Sequence, residues 1–317
     1  MLKFKRICII CIILANSVNA FAEKQLIRIG AGSLLGSDYT AGLELCKFIK
    51  LSNKNVKCKV VSIKSSIKNL SLLQDGKIDL ALVHANIATQ AFEGRGYYAH
   101  SKPMSNISQI LKLHDKTFTI IVRDNEKIKV LADIDGKKIS KGSKYSDGNI
   151  VYSEFGKLYD FKEEPMNILL NYDNYAKEFC TSKVDAMILM AGHPNSLIHH
   201  IAHHCEINFV HIEDNKIEQF LQKNPEFHKT TLNKSLYSGI TEDQNTFSVP
   251  VLLLTTDRMD QELLKRFMRY FIKNLEKFRK SQNILNNINE TSFTHEFLPF
   301  NKIVKEVISE NNGVNNK

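Results

Sequence analysis

The chain has 317 residues, 43% hydrophobic and 24% charged, and 43 Lys and Arg against 34 Asp and Glu leave a formal charge of +9. That length is enough for two lobes, each with its own apolar core. The basic residues are spread along the chain without a long block, which argues against nucleic acid as partner and points to solubility with a bias toward anionic ligands.

The first segment reads as an address. Lys3, Lys5 and Arg6 precede an unbroken apolar run, Ile7 to Leu14, and Ala20-Phe21-Ala22 supplies the small-x-small pattern of a cleavage site. Residues 1–22 are therefore predicted to be a signal peptide, with Glu23 as the mature start. The run is shorter than the roughly 20 residues of a spanning helix, so the mature chain is expected to be soluble, exported to the periplasm or beyond, and not inserted in a membrane. Cys8 and Cys11 leave with the signal; Cys46, Cys58, Cys180 and Cys205 remain. Four cysteines in an oxidising compartment favour two disulfides and allow three pairings, of which sequence proximity favours Cys46–Cys58 and Cys180–Cys205.

Beyond the signal, short aliphatic runs alternate with helical periodicity. Leu26–Gly30, Val56–Ile63, Leu80–His84 and Thr119–Val122 read as strands, with helices at Tyr39–Lys50 and Ser66–Gln74. Helices are predicted at Asn149–Leu158, Tyr172–Cys180, Pro194–His203 and Asn215–Lys223, and strands at Met187–Met190 and Phe209–Ile212. Val249–Thr255 is the last strand. Asp260–Lys280 reads as one long helix with Leu264, Met268, Phe271, Leu275 and Phe278 on an apolar stripe. The alternation means α/β layers with helices on both faces of the sheet.

In such sheets ligands sit beyond the carboxyl ends of the strands, where loops enter helices. Three such turns are rich in glycine and hydroxyls: Gly30 to Tyr39, Ser62 to Asn69, and Gly142 to Gly148. Each offers free N–H groups at a helix start, and together they suit a carboxylate or phosphate. The first turn is one residue off the dinucleotide spacing, the chain is expected to be exported, and no acidic residue ends the second strand, all of which argue against a nucleotide site.

The order of these motifs resembles the TAXI-type receptors of tripartite ATP-independent periplasmic (TRAP) transporters. The resemblance rests on the Gly30–Tyr39 turn, Ser66-Ile67-Lys68-Asn69 with Asp75-Gly76-Lys77-Ile78-Asp79, Ile134-Asp135-Gly136-Lys137-Lys138, Lys183-Val184-Asp185-Ala186 and Gly192-His193-Pro194-Asn195. It implies a type II periplasmic-binding-protein fold: two α/β lobes joined by two crossing strands. Lobe one would be 23–121 plus 248–317 and lobe two 122–247, and the same two disulfides are implied. Gly32, Ser33, Tyr39, Ser66, Asn69, Asn86, Ser146 and His193 are expected to wall the cleft. The implied partners are a small anionic solute, either a glutamate-like amino acid or a dicarboxylate, and TRAP membrane subunits. The chain departs from the family at Asp38, His84-Ala85-Asn86 and Tyr145-Ser146-Asp147. Asp38 and Asp147 would repel a second carboxylate or pair with an amino group.

Two rival readings use other residues. His199/His203 and His200/His204 are i,i+4 pairs able to grip Zn²⁺, but no carboxylate completes them and a disulfide would remove Cys205. An enzyme would need a nucleophile-base pair that no motif provides, and His114-Asp115 reads as a surface pair. No catalytic residue, metal or cofactor is expected. A surface antigen that keeps the fold is the remaining alternative.

Overall fold

The computed structural model describes residues 24–124, 127–171 and 174–315. The predicted signal peptide lies outside the described residues. The chain begins with β1 (Gln25–Ala31), α1 (Ser37–Ser52), β2 (Val56–Ser62), α2 (Ser66–Gln74), β3 (Leu80–His84) and α3 (Ala85–Glu93). The long strand β4 (Ile107–Arg123) leads away into β5 (Lys138–Ser140), α4 (Asp147–Phe155), β6 (Met166–Asn167), α5 (Tyr175–Cys180) and β7 (Ala186–Ala191). Then come α6 (Ser196–Ala202), β8 (Ile207–Phe209), α7 (Asp214–Lys223) and β9 (His228–Leu232). A second long strand, β10 (Gln244–Thr256), returns the chain to α8 (Gln261–Lys273), α9 (Leu275–Arg279), α10 (Thr291–Thr294) and α11 (Lys302–Asn315).

Among the described residues the strands form one sheet in the order β2-β1-β3-β10-β4-β7-β5-β6, with β8 on β4 and β9 on β10. Its two ends are parallel, β1 between β2 and β3, and β5 between β6 and β7. Its centre is antiparallel. β10 pairs with β3 through Val251–Leu254 and with β9 through Gln244–Ser248, while β4 pairs with β10 up to Thr117 and with β7 from Thr117 to Val122. The two long strands thus carry the chain between the parallel ends.

Three apolar cores follow from this order. Around α1 and α8, Phe48 meets Phe271 and Phe278 with ring centroids 5.9 and 5.0 Å apart. Beneath the central strands Phe118 stacks on Phe247 at 4.9 Å, joined by Phe155 and Phe220. Phe179, Ile198, Ile201 and Tyr237 fill the third core. Cys46 of α1 is bonded to Cys58 of β2, and Cys180 at the end of α5 to Cys205 after α6.

Several elements differ from their predicted extents. β4 spans 17 residues and β10 13, because Lys112, His114, Asp115 and Lys116 interrupt the apolar run without ending the strand. The predicted helix 260–280 divides at Asn274, whose side-chain amide donates to the Tyr270 carbonyl at 2.8 Å and competes with the helical ladder. The helix predicted from Pro194 begins at Ser196, where Asn195 Oδ1 accepts from the N–H groups of Leu197 and Ile198. The strand predicted at Phe209–Ile212 is shifted to Ile207–Phe209.

Candidate functional site

The three turns singled out in the sequence meet at one cleft. In the first, Gly36 N donates to Ser33 O at 2.8 Å, and Asp38 turns back over Gly32. A Cβ at Gly32 would lie 2.9 Å from Asp38 Oδ2, so only glycine leaves room for that carboxylate. Asp38 is buried, and its Oδ1 accepts from His114 Nε2 at 2.8 Å and from Lys116 Nζ at 3.0 Å. Burial opposes its ionisation, but Lys116 and the His114 hydrogen bond outweigh it and hold the carboxyl well below the usual range. His114 is therefore no surface residue paired with Asp115; Asp115 instead faces His228 at 3.4 Å.

In the second turn Ser65 caps α2, and Lys64 reaches the cleft. Ser66 Oγ accepts from His84 N at 3.2 Å, tying α2 to the end of β3. In the third turn Ser146 caps α4, and Gly142 beside it holds φ +79. A Cβ there would meet Ser146 Oγ at 2.5 Å. Asp147, the first residue of α4, extends across the cleft: its Oδ1 accepts from Ser66 N at 3.2 Å, and its Oδ2 lies 3.6 Å from His84 Nε2. Burial lowers the His84 pKa against the pull of Asp147 and Asp38, and among the described residues neither His84 ring nitrogen has a hydrogen-bond partner.

The cavity enclosed here is about 360 Å³, at the small end of the roughly 300–1,000 Å³ of small-molecule sites. Gly32, Ser33 and Ser146 line it. The other expected wall residues lie elsewhere. Tyr39 packs on the core around α1. Ser66 is buried and meets Asp147 only through its backbone N–H. Asn69 Nδ2 donates to Leu82 O of the interior strand β3 at 2.9 Å, and Asn86 is buried at the start of α3. His193 belongs to a chain of hydrogen bonds: Asn195 N to Tyr237 Oη at 2.7 Å, Tyr237 Oη to His193 Nδ1 at 2.7 Å, and His193 Nε2 to Thr119 Oγ1 at 2.8 Å. Burial, aided by Lys116, pushes its pKa down to about 3, so the ring is neutral and joins β4 to the loops after β7 and β9.

Sequence reasoning missed the cationic wall. Lys64, Lys116 and Lys141 line the cavity alongside Asp38 and Asp147. The available signal was the two-residue spacing of His114 and Lys116, which puts both on one face of a strand. A contact between α3 and the segment before β9 was also missed: Glu226, buried, accepts from Thr89 Oγ1 at 2.6 Å and pairs with Arg95. The two histidines of α6 pair ring to ring with the two that follow it, His199 with His203 at 5.4 Å and His200 with His204 at 4.5 Å. Among the described residues no group of three His, Cys, Asp or Glu side chains is placed to hold a metal ion. Among them, too, no helix is long and apolar enough to cross a membrane.

A family model, the NMT1-like family, matches residues 29–300, and the chain belongs to that family. Among solved structures it is similar to a protein from Bordetella bronchiseptica RB50, at 12% identity and TM-score 0.50 over 90% of this chain and 81% of that one. It is also similar to a Xanthomonas citri protein bound to ATP, at 11% identity and TM-score 0.49 over 90% and 98%. A periplasmic aliphatic sulphonate binding protein from Escherichia coli matches at 13% identity and TM-score 0.42 over 90% and 79%. The mixed α/β architecture resembles the periplasmic-binding-protein folds expected from the sequence.

Proposed function

We propose that the chain is an exported solute-binding receptor of the TAXI type, which captures a small carboxylate and hands it to the membrane subunits of a TRAP-type permease. Its lobes on this reading are 23–121 plus 248–317 and 122–247, with β4 and β10 as the two connections between them. The observation that carries the reading is the lysine-lined cavity between two helix-initiating turns, bridged from one side to the other by Asp147. A cleft whose walls come from both ends of the sheet is closed by hinge motion, because a solute touching both walls binds the closed state more tightly. Membership of the NMT1-like family and the two disulfides agree with an exported receptor. The groups facing the cavity supply charge and hydrogen bonds rather than a nucleophile beside a base, which favours capture over turnover.

Thermal melting against a panel of carboxylic acids tests the reading. A saturable rise in melting temperature with one acid is expected, since a ligand that binds only the folded state must stabilise it. If no acid in the panel shifts the transition, the carboxylate-receptor reading is wrong.

A further inference from the structure

The start of α2 already holds an acid group, and it comes from the other side of the cleft. Ser65 Oγ caps α2 by accepting from Lys68 N, which leaves the Ser66 N–H among the orphan donors of a helix start. Asp147 Oδ1 takes that N–H at 3.2 Å. Beside it stands His84, buried at 2% exposure, with its backbone N–H fixed on Ser66 Oγ. Among the described residues neither of its ring nitrogens has a hydrogen-bond partner, and Nε2 faces Asp147 Oδ2 from 3.6 Å. A buried ring nitrogen left unpaired costs free energy that a closer acid oxygen would recover.

Asp147 thus makes one contact and falls short of the other. Its carboxylate is carried by α4, whereas an acid free of that tether can meet both Ser66 N–H and His84 at ordinary lengths of about 2.7–3.2 Å. The tether favours Asp147 in a different way, since a group held within reach acts as a local concentration on the order of millimolar. The side chain is partly exposed and lines the cavity, so a solute can reach it.

We infer, resting on the carboxylate-receptor reading above, that Ser66 N–H and His84 Nε2 form the seat for the solute's acid group, and that Asp147 fills this seat as a built-in competitor until the solute displaces it. The sequence suggested that Asp147 repels a carboxylate or holds an amino group; in the structure it stands where a carboxylate would. The rest of the solute extends into the adjoining cavity, and the protein's own link across the cleft is exchanged for one through the solute.

Acetate is the probe, because it carries an acid group and little else. In Asp147→Ala, acetate titration followed by heteronuclear NMR is expected to shift the Ser66 amide and the His84 ring signals saturably. The half-point should lie about tenfold or more below that of the unaltered protein. Adding His84→Leu is expected to raise the half-point at Ser66 several-fold; if that double variant does not fold, the His84 ring signals of Asp147→Ala decide alone. Signals that stay fixed in Asp147→Ala, or that shift with one half-point in both proteins, overturn the inference. An acid that raises the melting temperature of the unaltered protein without moving these signals overturns it too, and leaves the receptor reading standing. Failure of every acid in the melting panel overturns both.

Discussion

Asp38 and Asp147 occupy matching places, each in the first turn of a helix that follows a glycine-containing turn, and each at the cavity wall. At both sites the helix terminus favours a negative charge. Their partners separate them. Asp38 is held by His114 and Lys116 of a central strand, so it is a buried pair that fixes α1 against β4. Asp147 is held by Ser66 N–H and faces His84, groups that stand across the cleft from α4. The same residue in the same local setting is a structural clamp in one region and a bridge in the other, and what lies opposite decides which.

The largest way to break this contrast is to remove the clamp. Asp38→Ala leaves Lys116 buried without a counter-charge and is expected to lower unfolding free energy by about 3–5 kcal/mol in denaturant melts. A loss comparable to that of an exposed pair would show that Asp38 is no clamp. Next is the relay around His193. Tyr237→Phe strands His193 Nδ1 and Asn195 N–H, and a loss of about 1–3 kcal/mol is expected in the same melts.

Acid separates the groups by pH. His84 and His193 have folded pKa values below their ordinary one, so their contribution is present above about pH 6.5 and is lost as pH falls below it. Asp38 is also depressed, and its contribution is lost only below about pH 4. Melting temperature against pH should therefore fall in two stages, and Asp38→Asn should shrink the lower stage, to which Asp115 also contributes, while leaving the upper one. A single transition near pH 4 in the unaltered protein would contradict the histidine assignment.

The smallest stability effect belongs to the bridge. Asp147→Asn is expected to cost less than about 1 kcal/mol, because its side chain is partly exposed and, among the described residues, one hydrogen bond holds it. Its expected signature is a larger radius of gyration of the unliganded protein in small-angle scattering. Identical scattering from both forms would place Asp147 with Asp38 as a local group and erase the contrast.

The elements and the cleft were unequally legible. Val56–Ser62, Leu80–His84 and Ala186–Ala191 announced themselves by aliphatic runs, and the turns at Gly32, Ser65 and Ser146 by glycine and capping chemistry. β4 was read as only its apolar end, because its charged middle is buried by pairing rather than by hydrophobicity. The α6 start was misplaced because Pro194 fits a first helical turn as well as the loop it occupies.

The sequence by itself determined the α/β alternation, the strand-to-helix turns and the nearness in sequence of the cysteines that are bonded, since all of these depend on neighbours within a few turns of chain. Tertiary structure alone decided that Asp38 meets His114 across 76 residues and that Asp147 meets Ser66 across 81. It also decided that His193 serves the strand junction rather than the cavity. Periodicity tells which face of an element is apolar, but not which polar groups are brought opposite one another. Sheet order and strand register set that pairing, and a shift of one residue in β4 would turn Lys116 away from the cleft.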